Sequence, residues 1–160
     1  MSATVQFSES NTAGEVVTDG LTNLNMGNSD SANLVAATYK ITAGNNAYEK
    51  YVRIKFSGTF TEISNLVIWK SAGVLKTGEV VKAIANQTFS TPTTVTSTKA
   101  VSAIPTSEGA GLAIESGEVD PTKFTTPGYS KYIVIQLQTT TSTPPGGLNT
   151  KTISISWDEY

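Results

Sequence analysis

Apolar and polar residues alternate with a period of two along much of this chain, the spacing of a β-strand with one face buried. The clearest stretch is 51–60. Val52, Ile54, Phe56 and Phe60 fall on one side, and Tyr51, Arg53, Lys55, Ser57 and Thr59 on the other. This predicts a strand with one apolar and one wet face. Gly58, on the apolar side, marks a bulge or a close backbone contact. In 63–70 the run Leu66-Val67-Ile68-Trp69 is apolar on both faces. It predicts a strand placed centrally in a sheet, or covered by a loop or a neighbouring subunit. Thr61-Glu62 between the two predicts a hairpin turn.

Three further stretches alternate well. Ile153, Ile155 and Trp157 oppose Thr152, Ser154 and Ser156; Ile133, Ile135 and Leu137 oppose Tyr132, Val134 and Gln136. Val35, Ala37, Tyr39 and Ile41 oppose Ala36, Thr38, Lys40 and Thr42, and Asn45-Asn46 then supplies turn chemistry. Weaker strands are expected over 4–8, 79–85 and 88–96. The total is about eight strands, and no 11-residue window carries a helical stripe. The pattern predicts an all-β fold, an antiparallel two-sheet sandwich of jelly-roll-like form. The length, 160 residues, suits one domain over 1–160. Segments 8–31 and 98–127 read as long loops, and connections of that length are usually functional. The Thr-rich run 139–147 closes on a Pro144-Pro145-Gly146-Gly147 turn.

Composition narrows the function. The chain has neither cysteine nor histidine. It therefore lacks disulfides, thiolate metal sites, and the usual base of serine and cysteine nucleophiles. The net charge is −2 with 15% charged residues, so the basic excess of a nucleic-acid binder is missing. No apolar run approaches the ~20 residues that span a bilayer, so no membrane partner is expected. The opening Met-Ser-Ala-Thr-Val-Gln-Phe has no basic or apolar leader character and predicts no signal peptide. Without one, the triplet Asn86-Gln87-Thr88 reads as chance rather than as a glycosylation site. Serine and threonine make up about a quarter of the residues, so the surface is wetted by hydroxyls more than by charges.

Candidate chemistry is sparse. The carboxylates are scattered, and no pair has the spacing that a glycosidase cleft needs. Asp19, Asn23, Asn25, Asn28 and Asp30 offer oxygen ligands to calcium in one segment, but not at EF-hand positions, and they read as turn formers. Gly109-Ala110-Gly111 has no following Lys-Ser or Lys-Thr and is not a phosphate loop. The expectation is no catalytic, cofactor-binding or metal-binding residue and no cofactor. Among aromatics, Phe7, Tyr39, Phe56, Phe60, Trp69 and Trp157 read as core. Tyr129, Tyr132 and Tyr160 read as contact-surface candidates.

The stretch Tyr51-Val52-Arg53-Ile54-Lys55-Phe56-Ser57-Gly58-Thr59-Phe60, with Ile63-Ser64-Asn65-Leu66-Val67-Ile68-Trp69-Lys70-Ser71 after it, resembles small β-rich virion proteins of tailed bacteriophages. The two stretches are 19 of the 160 residues. The resemblance implies a non-enzymatic structural protein of the capsid decoration (cement) type. Its partners would be the major capsid protein and neighbouring copies of itself in a homotrimer. Its place would be the capsid surface, after synthesis in the host cytoplasm. A tail, neck or head-fibre subunit and a carbohydrate-binding β-sandwich module are the alternatives.

Overall fold

The structure is a computed structural model and describes residues 2–95, 99–146 and 149–160. Thr96, Thr98 and Gly147, at the ends of the expected strand 88–96, loop 98–127 and turn 139–147, lie outside the described residues. The chain forms two antiparallel sheets packed as a sandwich, with eleven strands among the described residues in place of about eight. They are β1 (Thr4–Asn11), β2 (Val16–Asp19), β3 (Lys50–Ser57), β4 (Ile63–Ala72), β5 (Glu79–Gln87), β6 (Ser102–Ala103), β7 (Leu112–Ala113), β8 (Lys123–Phe124), β9 (Gly128–Tyr129), β10 (Tyr132–Thr139) and β11 (Thr152–Glu159). The large sheet runs β2-β1-β3-β10-β5-β6, with β9 also on β3. The small sheet runs β11-β4-β7, with β8 also on β4.

The alternation puts the core where expected. Ile54 and Phe56 from β3, Ile133, Ile135 and Leu137 from β10, and Val81 and Ala83 from β5 meet Ile63, Leu66 and Ile68 from β4. Ile153, Ile155 and Trp157 of β11 close one side. Phe56 anchors the aromatic centre, with the rings of Phe124, Trp157 and Phe60 at 4.9, 5.8 and 6.4 Å. Truncating one such ring to alanine costs about 3–5 kcal/mol.

Several expectations are corrected. Thr61-Glu62 is not a hairpin turn: β3 and β4 belong to different sheets, and the link crosses the sandwich. Its backbone is tied by Thr61 N–H to the Tyr160 carbonyl (2.8 Å) and Tyr160 N–H to the Glu62 carbonyl (2.9 Å). Gly58 follows β3 with φ of +87°, and a Cβ there would lie 3.3 Å from the Ser2 carbonyl, which is the close contact its position suggested. Segment 35–42 is not a strand. The Val35 carbonyl accepts both the Thr38 and Tyr39 N–H groups, so the chain turns back, and Val35 stays 61% exposed. Trp69 is half-buried outside the main cluster, and Tyr39 is also left part-exposed.

The expected loop 8–31 begins as strand. Ser8 to Asn11 pair with Asp19 to Val16 in a β1–β2 hairpin. Thr12 and Glu15, both at positive φ, make its turn, and Glu15 N–H donates to the Thr12 carbonyl at 3.1 Å. Segment 98–127 contains β6, β7, β8 and a 3-10 turn at Glu108–Ala110. Two-residue strands carry no periodicity, so alternation misses them.

The inner stripe of β1 and β3 ends in charges. Val5 and Phe7 lead to Glu9, and Ile54 and Val52 lead to Lys50. Lys50 Nζ donates to Glu9 Oε1 (2.8 Å) and to the Ser31 carbonyl (2.7 Å), with both ionic side chains fully buried. Asn11 Nδ2 donates to the same Glu9 oxygen at 2.7 Å and to Asp30 Oδ1 at 2.9 Å. Glu9 Oε2 has no partner. The network fastens irregular segment 20–49 over the end of the core, where Leu24, Met26 and Ile41 pack. Gly27 lets that segment fold on itself, since a Cβ would stand 2.7 Å from the Tyr39 carbonyl.

Removing one member of a buried pair strands the other. Lys50→Met should therefore lower unfolding free energy by about 3–5 kcal/mol in urea denaturation. The double variant E9M/K50M should recover most of that loss, because it removes both charges and the unpartnered oxygen together.

Candidate binding pocket on the outer face of the large sheet

A sandwich sheet normally turns a polar face outward. Here the outward positions of β3 and β10 include Tyr51, Tyr132 and Val134, all buried with Ala100 in a second apolar cluster. This corrects the wet face expected for Tyr51 and the contact-surface role expected for Tyr132. Segment 88–95, expected as a strand, is instead laid across this face. The Thr93 carbonyl accepts the Glu49 N–H at 2.9 Å, the Thr93 N–H donates to Glu49 Oε2 at 3.2 Å, and Ser90 Oγ bonds Tyr51 Oη at 2.5 Å. The rings of Tyr51, Phe89 and Tyr132 stand 5.2, 5.8 and 6.0 Å apart. Burial pushes the Tyr51 phenol above its ordinary pKa.

Where this cover ends, a shallow pocket of about 300 Å³ opens over Arg53. Its walls come from Glu15, Gln87, Phe89, Tyr129, Lys131 and Tyr132. Arg53 is the only arginine among 11 basic residues. Its guanidinium carbon lies 4.0 Å from the Tyr129 ring centroid and 4.7 Å from that of Tyr132. Both distances are within cation–π range. Its Nε is buried without a hydrogen-bond partner, and none of the ion pairs among the described residues includes it.

Both tyrosines are held. Tyr129 Oη donates to the two Asp19 oxygens at 2.9 and 3.1 Å. Asp19 also accepts from Lys55 Nζ at 2.5 Å and from Ser8 Oγ at 2.6 Å. The Lys55 hydrogen bond, helped by Ser8, holds the Asp19 carboxyl down to about 2. Tyr132 Oη donates to Glu15 Oε1 at 2.6 Å and shares a 2.6 Å bond with Ser10 Oγ. Burial first, then the Glu15 carboxylate, pushes its phenol up to about 12, so it stays a donor near neutral pH.

The other wall is built by segment 112–127. Asn86, at φ +61°, clamps it: Oδ1 accepts the Glu115 N–H at 2.7 Å and Nδ2 donates to the Ala113 carbonyl at 3.2 Å. The Asn86 side chain of the glycosylation-like triplet is thus engaged inside the fold. Glu118 accepts from the backbone N–H and hydroxyl of both Thr125 and Thr126. Burial opposes its ionisation, but these donors outweigh it and lower its pKa. The segment is therefore fixed within the isolated chain. It carries Val119 at 104% exposure, two residues from Gly117 of the pocket, while Val17 (41%) lies on the same face of the β1–β2 hairpin as Asp19.

Of the residues singled out from sequence, Tyr129 and Tyr132 are brought together here. Tyr160 is on the other sheet beside Glu62, 68% exposed. The oxygen-rich residues of 19–30 are dispersed among separate partners: Asp19 to this pocket, Asp30 to Asn11 and the Thr12 N–H, Asn25 to the Leu34 carbonyl. Among the described residues no group of three or more Asp or Glu gathers as a metal site. Arg53 was not singled out; its being the sole arginine, two residues from Tyr51, is the signal that marks it. A second, polar pocket of about 360 Å³ lies among Asn28, Lys40, Thr42, Asn45, Asn46 and Tyr48.

Because Asp19 titrates lower when folded, its contribution is present above its ordinary value of 3.8 and is lost as pH falls toward about 2. Between pH 5 and pH 2.5 the urea midpoint of the native protein should drop further than that of D19N. Equal drops would show that this carboxylate carries none of the acid sensitivity.

No family model, curated protein or solved structure matches this chain, so the fold and the pocket stand on their own geometry.

Proposed function

We propose that this is a non-catalytic docking protein of the capsid decoration type, which binds the outside of a phage head across joints between major capsid subunits. The observation that carries the reading is exposed apolar surface on the segments that flank the Arg53 pocket. Val17, on the same sheet face as Asp19, and Val119, two residues beyond the pocket-lining Gly117, stay exposed on segments already fixed by their own hydrogen bonds. A partly desolvated arginine between two tyrosines, with exposed apolar side chains on the flanking segments, has the composition of an interface hot spot. Because the segments are ordered beforehand, little conformational entropy is lost on docking.

Binding only to the assembled shell stabilises that shell by mass action. A homotrimer multiplies modest contacts into avidity. The phage setting is supported by the resemblance of 51–71 to virion proteins. A second reading, a glycan-binding module, is favoured by the amide-lined polar pocket, and N28A should then abolish signals on a glycan array.

Co-sedimentation with expanded, undecorated capsids tests the first reading. The native protein should pellet with them, and V17S/V119S should bind at least about tenfold more weakly. A native mass of three 16.8 kDa chains is expected in solution. Native protein left wholly in the supernatant overturns the proposal.

A further inference from the structure

We infer that the Arg53 pocket is a carboxylate-recognition site, in which the guanidinium receives an aspartate or glutamate side chain presented by the docking partner. The inference rests on the docking reading for its partner, but the pocket chemistry stands apart from it.

Charge accounts for the preference. Lys55 is engaged by Asp19, and Lys131 lies 3.5 Å from Glu115. Glu15, the carboxylate lining the pocket, accepts the Tyr132 hydroxyl and makes no ion pair with Arg53. Arg53 is therefore the one cation lining the pocket that stands outside an ion pair. Rings next to it and the burial of Nε leave it poorly hydrated, which strengthens attraction to an anion that reaches it.

Geometry selects the anion. Arginine donates through a planar fork that matches the two oxygens of a carboxylate. The tyrosine rings hold that plane, so little side-chain freedom remains to be lost. A single unpaired cation balances a single negative charge. Phosphate, more than singly charged at neutral pH, meets the same cation and is repelled more strongly by Glu15. Phe89 on the wall offers apolar contact to the methylenes of a glutamate side chain.

The test uses the full chain and one NMR signal. As the only arginine, Arg53 gives a single Nε–H resonance in a ¹⁵N-labelled sample. Titration with N-acetyl-glutamate methylamide should shift it saturably, while the glutamine analogue and inorganic phosphate should leave it nearly unmoved. Arg53→Lys, judged folded by its dispersed amide spectrum, should bind the glutamate probe at least about tenfold more weakly, read from backbone amides of Tyr129 and Tyr132. An unmoved Nε–H signal, or one moved equally by the glutamine analogue or more readily by phosphate, overturns the inference. Capsid binding separates it from the docking reading. If native protein and R53K co-sediment equally, the carboxylate anchor falls and docking stands. If the glutamate probe binds but no capsid does, the carboxylate site stands and the docking reading falls.

Discussion

In the large sheet, β10 over 132–137 and the adjoining Lys50–Val52 end of β3 are buried on both faces, and much of the remaining structure follows from that constraint. A sheet apolar on one side needs one partner; a sheet apolar on both needs two. The small sheet covers the inner face, where Ile54, Phe56, Ile133 and Ile135 point. No third sheet exists among the described residues, so segments 88–95 and 99–100 cover the outer face and seal Tyr51, Tyr132 and Val134. An irregular cover has backbone groups that no ladder satisfies, and side chains and carbonyls of the sheet must satisfy them. Glu49 and Thr93 exchange two bonds for this reason, and the buried Gln136 amide reaches the Thr93 carbonyl at 3.5 Å.

The same requirement explains the buried charges. The inner stripe of β1 and β3 runs past the end of the small sheet, where there is no apolar partner to meet it. Glu9 and Lys50 occupy that end, and their network reaches Asn11, Asp30 and the Ser31 carbonyl. Two apolar residues would have buried there at less cost, since a buried pair seldom exceeds its hydrophobic replacement in stability. What the pair supplies is direction: the Ser31 carbonyl and the Asp30 carboxylate can meet it in one arrangement only, and segment 20–49 is placed by it.

Alternation in the sequence revealed the inner faces of β3, β4, β10 and β11 and the sandwich they make. It failed where its premise failed. Tyr51 and Tyr132 looked wet because a strand with one polar face was assumed, and nothing local says that a distant segment will lie over them. Val35 to Ile41 alternates as well as any strand, yet no neighbour offers it a ladder, and alternation cannot supply one. Ser8 to Asn11 looked like loop because its residues are polar, although Glu9 and Asn11 continue the inner stripe and Ser8 and Ser10 bond Asp19 and Tyr132. Of the pocket, the two tyrosines were legible as candidates. The arginine between them was not, because position 53 falls on the face that alternation assigns to solvent.

The pocket sits at the border between the covered and uncovered halves of this outer face, and that position decides what residue 53 must be. On one side are Phe89 and the sealed ring cluster; on the other are Asp19, Lys55 and water. A lysine here would draw a compact, strongly hydrated charge against aromatic rings and lose much of its hydration. Arginine is planar and more weakly hydrated, so it lies against Tyr129 and Tyr132 while keeping donors at its edge. The ring beside it is itself held by Asp19 of the β1–β2 hairpin, so the hairpin, the tyrosine and the guanidinium share one arrangement. Any group bound at Arg53 is therefore coupled, through Tyr129 and Asp19, to the hairpin that carries Val17. The guanidinium and Val17 belong to one surface for that reason, not by proximity alone.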